Sequence, residues 1–240
     1  MNGLWRSSAR TAVGNVRHRN EDAVLDRPEH GVWAVADGLG GHQQGDLASR
    51  LVVEHLAVLP HCADLDERVS RAQDCLQRLN RHLTQELTLS AGQQPAVIGS
   101  TVVALFADAG RGICLWAGDS RCYLRRNGHL YQLSKDHSLA QQLVDQQQLS
   151  ASAAADYPGA GGLLRAIGAT PELQLERCEF AIYPGDALLL CSDGLYQELT
   201  QYELSAALQQ PTPQQAVRLM FDAVLAGEAR DNIGAVVIHR

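Results

Sequence analysis

Four short stretches of the chain are apolar on consecutive residues: STVVALFA (100–107), GICLWA (112–117), ALLLCS (187–192) and IGAVVI (233–238). A strand that is apolar on both faces needs cover on both, so these strands must lie between layers of other structure. VWAVA (32–36) and RCYLRR (121–126) add two more β-rich runs, and Asn127-Gly128 before HLYQL is a two-residue hairpin signal. Hairpins imply antiparallel pairing.

Helical patterns stand between these runs. Leu65, Val69, Ala72, Leu76, Leu79, Leu83 and Leu87 mark one face of a helix over 65–87, and Leu47, Leu51, Val52, Leu56 and Leu59 mark another over 46–59. A third helix spans about 213–227, with Thr212 as N-cap, Pro213 at the first helical position and Gln215 in a capping-box relation to Thr212. Strands in sequence with helices grouped in pairs predict an α+β fold in layers, as one domain over 1–240, and not a doubly wound parallel sheet.

Charge narrows the partners. With 27 Asp plus Glu against 20 Lys plus Arg the net charge is -7, which argues against nucleic acid, a ligand bound through clustered cations. The six cysteines form no C-x-x-C pair and read as buried free thiols of a reducing compartment. The N-terminal residues hold no apolar stretch of signal-peptide kind, and no run approaches a membrane span. The expectation is a cytoplasmic monomer with no membrane partner.

Three apolar runs end alike: VWAVA at Asp37-Gly38, ALLLCS at Asp193-Gly194 and GICLWA at Gly118-Asp119-Ser120. Asp-Gly is common turn chemistry. Helical sequence follows Asp37-Gly38 and Asp193-Gly194, however, so neither is a hairpin, and an Asp at the end of a buried strand is a place for function. RHRNED (17–22) and Arg230-Asp231-Asn232 are further polar clusters beside strands. Asp22, Asp37, Asp119, Asp193 and Asp231 are thus the candidates to converge. Grouped carboxylates repel unless a cation neutralises them, and an all-oxygen set selects hard ions, Mg²⁺ or Mn²⁺, over Zn²⁺. Such ions in pairs hydrolyse phosphoesters.

Other signals carry less. Cys62 and Arg68 have the C-x5-R spacing of cysteine phosphatases, but Asp64, Asp66 and Glu67 in that loop would repel both thiolate and phosphate. Gly38-Leu39-Gly40-Gly41 and Gly159-Ala160-Gly161-Gly162 lack the register of a dinucleotide loop.

In order, GNVRHRNED (14–22), VWAVADGLGGHQQGDLAS (32–49), GSTVVALF (99–106), WAGDSRCYLRRNGHL (116–130), SKDHSLAQQLV (134–144), LLRAIG (163–168), GDALLLCSDGLYQEL (185–199) and ARDNIGAVVI (229–238) resemble the metal-dependent protein phosphatases of type 2C in their compact bacterial form. The resemblance spans essentially the whole chain. It implies a four-layer αββα sandwich of two antiparallel sheets flanked by paired helices, and a serine/threonine phosphatase that hydrolyses phosphoproteins by direct attack of a metal-activated water. It implies two Mg²⁺ or Mn²⁺ ions bridged by Asp37, with the Gly38 carbonyl, Asp193 and Asp231 as ligands and Asp22 holding the cluster directly or through water. Asp119 corresponds to a ligand for a third metal, and Arg17 to the phosphate-gripping arginine. Eukaryotic members place a histidine after the Asp-Gly, where this chain has Leu39, so His42 is the candidate general acid.

The segment 145–162 takes the position of the family's flap, and its small residues predict mobility and a part in substrate choice. Expected partners are phosphoprotein targets of a bacterial serine/threonine kinase, with type VI secretion as one setting in which compact members occur. A phosphoprotein-binding module without turnover is the competing class. All five acidic positions are Asp here, whereas a degenerate relative loses ligands.

Overall fold

Strands apolar on both faces end up in the middle of the molecule. In the computed structural model, which describes residues 5–40, 45–60, 62–87 and 98–240, two antiparallel sheets stack face to face and each carries helices on its outer side. The first sheet has the order β1-β11-β10-β7-β8, from β1 (Arg6–Ala12), β7 (Arg121–Arg126), β8 (His129–Gln132), β10 (Ala187–Cys191) and β11 (Ile233–His239). The second has the order β2-β3-β5-β6-β9, from β2 (Asp22–Arg27), β3 (Val32–Leu39), β5 (Val102–Ala107), β6 (Arg111–Ala117) and β9 (Glu176–Ala181). The short β4 (Gly99–Ser100) pairs with the end of β3.

Three apolar layers result. Trp33, Val103, Leu105, Leu188, Leu190 and Val236 interlock between the sheets. On one outer side α1 (Gly45–Ala57) and α2 (Leu65–His82) bring Val52, Val69 and Leu76 onto Ala34, Ala104 and Leu115. On the other, α6 (Gln201–Ala207) and α7 (Pro213–Ala226) bring Leu204, Met220 and Phe221 onto Leu189, Ala235 and Val237. This is the αββα sandwich expected from the sequence. The Asn127-Gly128 hairpin also forms, with both residues at positive φ, 51° and 82°, as a twist-matched two-residue turn requires.

The differences have local causes. Strands β1, β2 and β9, unread from the sequence, all lie at sheet edges, where one side of the strand meets solvent and polar residues interrupt the pattern. The leucine stripe of α2 continues to Leu87, but the α-helix stops at His82 and Leu83–Leu87 form a π-helical turn. At α7 the Thr212 hydroxyl accepts the Gln215 N–H and donates to the Gln215 side-chain oxygen, so the box is not reciprocal. The reciprocal box stands at Thr200 and Glu203 of α6.

The segment 145–162, read as a flap, takes in the end of α3 (Leu139–Gln147) and all of α4 (Ala151–Ala155), helices capped by Ser138 and Ser150. Leu139 N–H and Ala140 N–H donate to Gly162 and Ala160 carbonyls at 2.9 Å each, folding the segment back on its own stem. All six cysteines are free, and four are buried. Among the described residues no helix is long and apolar enough to cross a membrane.

Leu190 is fully buried between the sheets. Leu190→Ala is expected to cost about 2–5 kcal/mol through lost burial and a cavity, read as a lower urea midpoint with an unchanged slope.

Candidate active site

The site lies where strands of both sheets end at one edge of the sandwich. Asp22 opens β2 directly across from Asp37 of β3. Asp193 opens α5 (Asp193–Tyr196), the single turn that follows β10, and Asp231 precedes β11. Asp119 sits in the turn between β6 and β7. Asp37, Asp119, Asp193 and Asp231 line a cleft of about 770 Å³ together with Arg17, Gly38 and Leu39. Asp22 lies beneath it, 7% exposed.

Packing and hydrogen bonds fix each carboxylate-bearing segment. The Asp37 N–H donates to Thr101 Oγ1 at 3.0 Å, and the Asp37 carbonyl accepts from Thr101 N–H at 2.8 Å and Ser100 Oγ at 3.0 Å. Thr101 Oγ1 is 2.7 Å from Ser120 Oγ, which joins the Asp37 strand to the Asp119 turn. Gly118 there has φ +115°, and a Cβ would meet Thr101 side-chain carbons at 2.6 Å. Gly38 is equally confined, since a Cβ would lie 2.1 Å from the Gly45 carbonyl oxygen.

Several residues that hold the site have no role assigned from the sequence, Asn232 being named there only as part of a polar cluster. Ser192 donates to Asp22 Oδ2 at 2.6 Å and accepts the Gly234 N–H at 2.8 Å. Asn232 accepts the Glu21 N–H at 2.8 Å and donates to the carbonyls of Val13 and Arg19 at 2.8 and 2.7 Å, so it shapes the loop that carries Arg17. Arg121 grips Asp136 with two hydrogen bonds of 2.8 and 2.7 Å and lies 3.7 Å from the Tyr196 ring centre. The Tyr196 hydroxyl then donates to the Asp119 carbonyl at 3.1 Å. Their signal was position, each lying within two or three residues of a candidate Asp or in the SKDHS block.

Crowding shows in the electrostatics. Burial, then the charges of Asp22, Asp193, Asp119 and Asp231, push the Asp37 carboxyl well above its ordinary range. Asp37 is paired directly with Asp22 across β2 and β3 and shares the cleft with Asp193. Burial and the charges of Asp193 and Asp231 raise Asp22 to about 7, against a Ser192 hydrogen bond that opposes the rise. Asp119 also rises to about 7, through burial and then Asp193 and Asp136. Burial and Asp231 raise Asp193. Arg17 Nη2 donates to Asp231 Oδ2 at 2.7 Å and so sets a cation against the acidic cluster.

The donor set fits a hard divalent cation. Asp22 Oδ1 and Asp193 Oδ1 are buried and accept no hydrogen bond, and the anionic groups of the cleft are carboxylates, with no thiol and with His18 as the imidazole of the lining. Among the described residues no three Asp, Glu, His or Cys side chains by themselves form a group that could hold an ion. Mg²⁺ and Mn²⁺ complete such shells with water and backbone carbonyls. His42 lies outside the described residues. Arg68, half of the C-x5-R spacing, is buried and donates to the carbonyls of His30 and Ala107, bracing the far end of the second sheet.

The family profile described as Protein phosphatase 2C matches residues 15–226. The chain belongs to the protein phosphatase 2C family. Among solved structures of this family, "PppA, a key regulatory component of T6SS in Pseudomonas aeruginosa" superposes with a TM-score of 0.90 at 40% identity, covering 98% of this chain and 97% of that one. The catalytic domain of the serine/threonine phosphatase PstP "in complex with 2 Manganese ions" superposes with a TM-score of 0.85 at 30% identity, covering 98% and 97%. Serine/threonine protein phosphatase PstP of Mycobacterium tuberculosis is 30% identical over 98% of this chain, which spans 45% of that protein's length.

A carboxyl whose folded pKa lies above its unfolded value adds stability that is complete below the unfolded pKa and lost as pH rises through the folded one. With Asp22 and Asp119 raised to about 7, the thermal midpoint of the chelated protein is expected to fall from about pH 4 and to level off above about pH 7. Mn²⁺ should raise the midpoint most at the upper end, with proton release on binding, measurable by calorimetry in buffers of different ionisation enthalpy. Asp22→Asn should flatten the chelated profile. A midpoint that climbs with pH in the chelated sample contradicts this account.

Proposed function

We propose that this chain is a Mg²⁺- or Mn²⁺-dependent protein serine/threonine phosphatase. The observation that carries the reading is the meeting of Asp37 with Asp22, Asp119, Asp193 and Asp231 at one cleft beside Arg17. Asp37, Asp193, Asp231 and the Gly38 carbonyl are the proposed ligands of two ions, Asp22 the carboxylate beneath them and Asp119 a ligand of a third. When bound, the ions supply Lewis acidity toward phosphoryl oxygens and a nucleophilic water at neutral pH.

The protein's own groups do the rest. Arg17 uses one N–H on Asp231 and stands at the cleft rim, its side chain 54% exposed. Its planar fork suits two oxygens of an incoming phosphate monoester, which it would orient over the carboxylates. The Thr101–Ser120 and Arg121–Tyr196 contacts hold Asp37 and Asp119 in place before substrate arrives, so little reorganisation accompanies binding. His42 is the proposed donor of a proton to the departing alkoxide oxygen. Gly161 and Leu163, at the end of the flap segment, line the cleft and are placed to touch the substrate chain.

The proposed substrates are phosphoserine and phosphothreonine proteins made by a bacterial serine/threonine kinase, with the protein acting as a cytoplasmic monomer. The likeness to PppA over nearly its full length supports a setting in type VI secretion.

With a phosphothreonine peptide and Mn²⁺, turnover is expected, and chelation should abolish it. Asp37→Asn should lose at least about 100-fold, more than substitutions one shell further from a metal cost. Arg17→Ala should lose about 10- to 100-fold in kcat/KM, the worth of charge-assisted hydrogen bonds to phosphate. Activity that survives chelation or Asp37→Asn would refute the two-metal reading. Cys62→Ser should be silent, and a strong loss there would reopen cysteine chemistry.

A further inference from the structure

The first sheet carries a second polar feature at the end away from the cleft. Arg6 of β1 pairs with His239 of β11, His239 pairs with Ala187 of β10, and Ala187 pairs with Arg125 of β7. The four residues form one row across four adjacent strands. Residues directly opposite in antiparallel pairs project from the same face, so Arg6, His239 and Arg125 share one face, with the small Ala187 leaving a gap between the last two. The face is the one covered by α6 and α7, because Ala187 packs in that layer with Leu189 and Val237.

At the gap is a pocket of about 160 Å³, closed on its helical side by Leu208, Gln209 and Gln210 after α6. Two of its buried donors are unanswered. His239 is 8% exposed, and its Nε2 is buried without a hydrogen-bond partner, as is Arg125 Nε. Among the described residues no carboxylate pairs with Arg6 or Arg125. Asp186, which lines the pocket, is committed elsewhere: it takes two hydrogen bonds from Arg126, at 2.9 and 2.6 Å, and one from the Tyr183 N–H at 2.8 Å. Arg240 is also committed, to the Ala109 carbonyl and the Trp5 ring. Burial, then the Arg6 charge, hold the His239 imidazole below its ordinary pKa.

Cationic and N–H donors set side by side in a row destabilise a sheet unless something answers them. The forked guanidinium groups match tetrahedral or planar oxyanions, and two permanent charges beside an imidazole suit a dianion. We propose that this pocket binds phosphate, free or as the phosphoryl group of a small monoester, between Arg6 and Arg125 with His239 donating from the floor. Strand β11 runs from Ile233, beside the catalytic cleft, to His239, so at ~3.3 Å per residue the two sites are ~20 Å apart.

The test uses the full chain with Mg²⁺ present and inorganic phosphate as the probe. At about tenfold excess over its dissociation constant phosphate should raise the thermal midpoint by about 4 °C. That rise should survive in Arg17→Ala, which weakens phosphate at the catalytic cleft, and in that background it should vanish when Arg125→Gln or His239→Gln is added. Arg125→Gln removes an unpaired positive charge and His239→Gln a buried ring nitrogen without a partner, so without phosphate they should melt no lower than the parent chain. Independently, the His239 ring nitrogens should shift on phosphate titration in a nitrogen-15 histidine spectrum. A midpoint rise in the Arg17→Ala background that persists when Arg125→Gln or His239→Gln is added, or a His239 signal that does not move, overturns the proposal. Glycerol phosphate in place of phosphate separates the sources: an equal response assigns the phosphoryl group of either, and a response to phosphate alone assigns the free ion.

Discussion

Carboxylates brought together at the edge of a buried sheet repel one another, and much of this molecule is arranged around holding them there. Asp22 and Asp37 face each other across β2 and β3, a pairing of like charges that is unfavourable in water and more so under burial. The repulsion is carried by the stacked sheets, whose apolar layers above and below are continuous and whose strands cannot shift register without turning their buried faces to solvent. The result is a strained, acidic edge on a rigid body, a form suited to gripping divalent cations.

Neutral polar groups do the detailed positioning. Ser192, Thr101, Ser120 and Asn232 satisfy backbone and carboxylate oxygens without adding charge. Two carboxylate oxygens, on Asp22 and Asp193, are left without protein donors. That division of labour explains why small hydroxyl and amide residues flank the aspartates. It also separates this edge from the far end of the first sheet, where the unanswered groups are cationic and the fitting ligand is an anion.

Most of the layer architecture was legible because burial on both faces leaves a continuous apolar run, as in VVALFA and ALLLC. Strands β1 and β9 were not legible. At a sheet edge half of each strand faces water, so RSSARTA and ERCEFA carry no such run. In the site, the aspartates were visible because each ends an apolar run or stands beside one. The Ser192–Asp22 contact was invisible, since 170 residues separate its partners and serine before a turn has many other uses. The same holds for Asn232, whose side chain spans three segments of chain.

The sequence by itself determined the elements and the chemistry on offer: which runs are buried strands, which stripes make helices, and that hard-oxygen ligands stand at strand ends. These are local properties, set by side-chain pattern and turn preference over a few residues. Tertiary structure alone decided which groups meet. The Arg17–Asp231 pair, the clamp of Arg121 on Asp136 and Tyr196, and the row of Arg6, His239 and Arg125 depend on register between strands distant in the chain. Register is fixed by the packing of two whole sheets, a cooperative property that no short stretch of sequence contains.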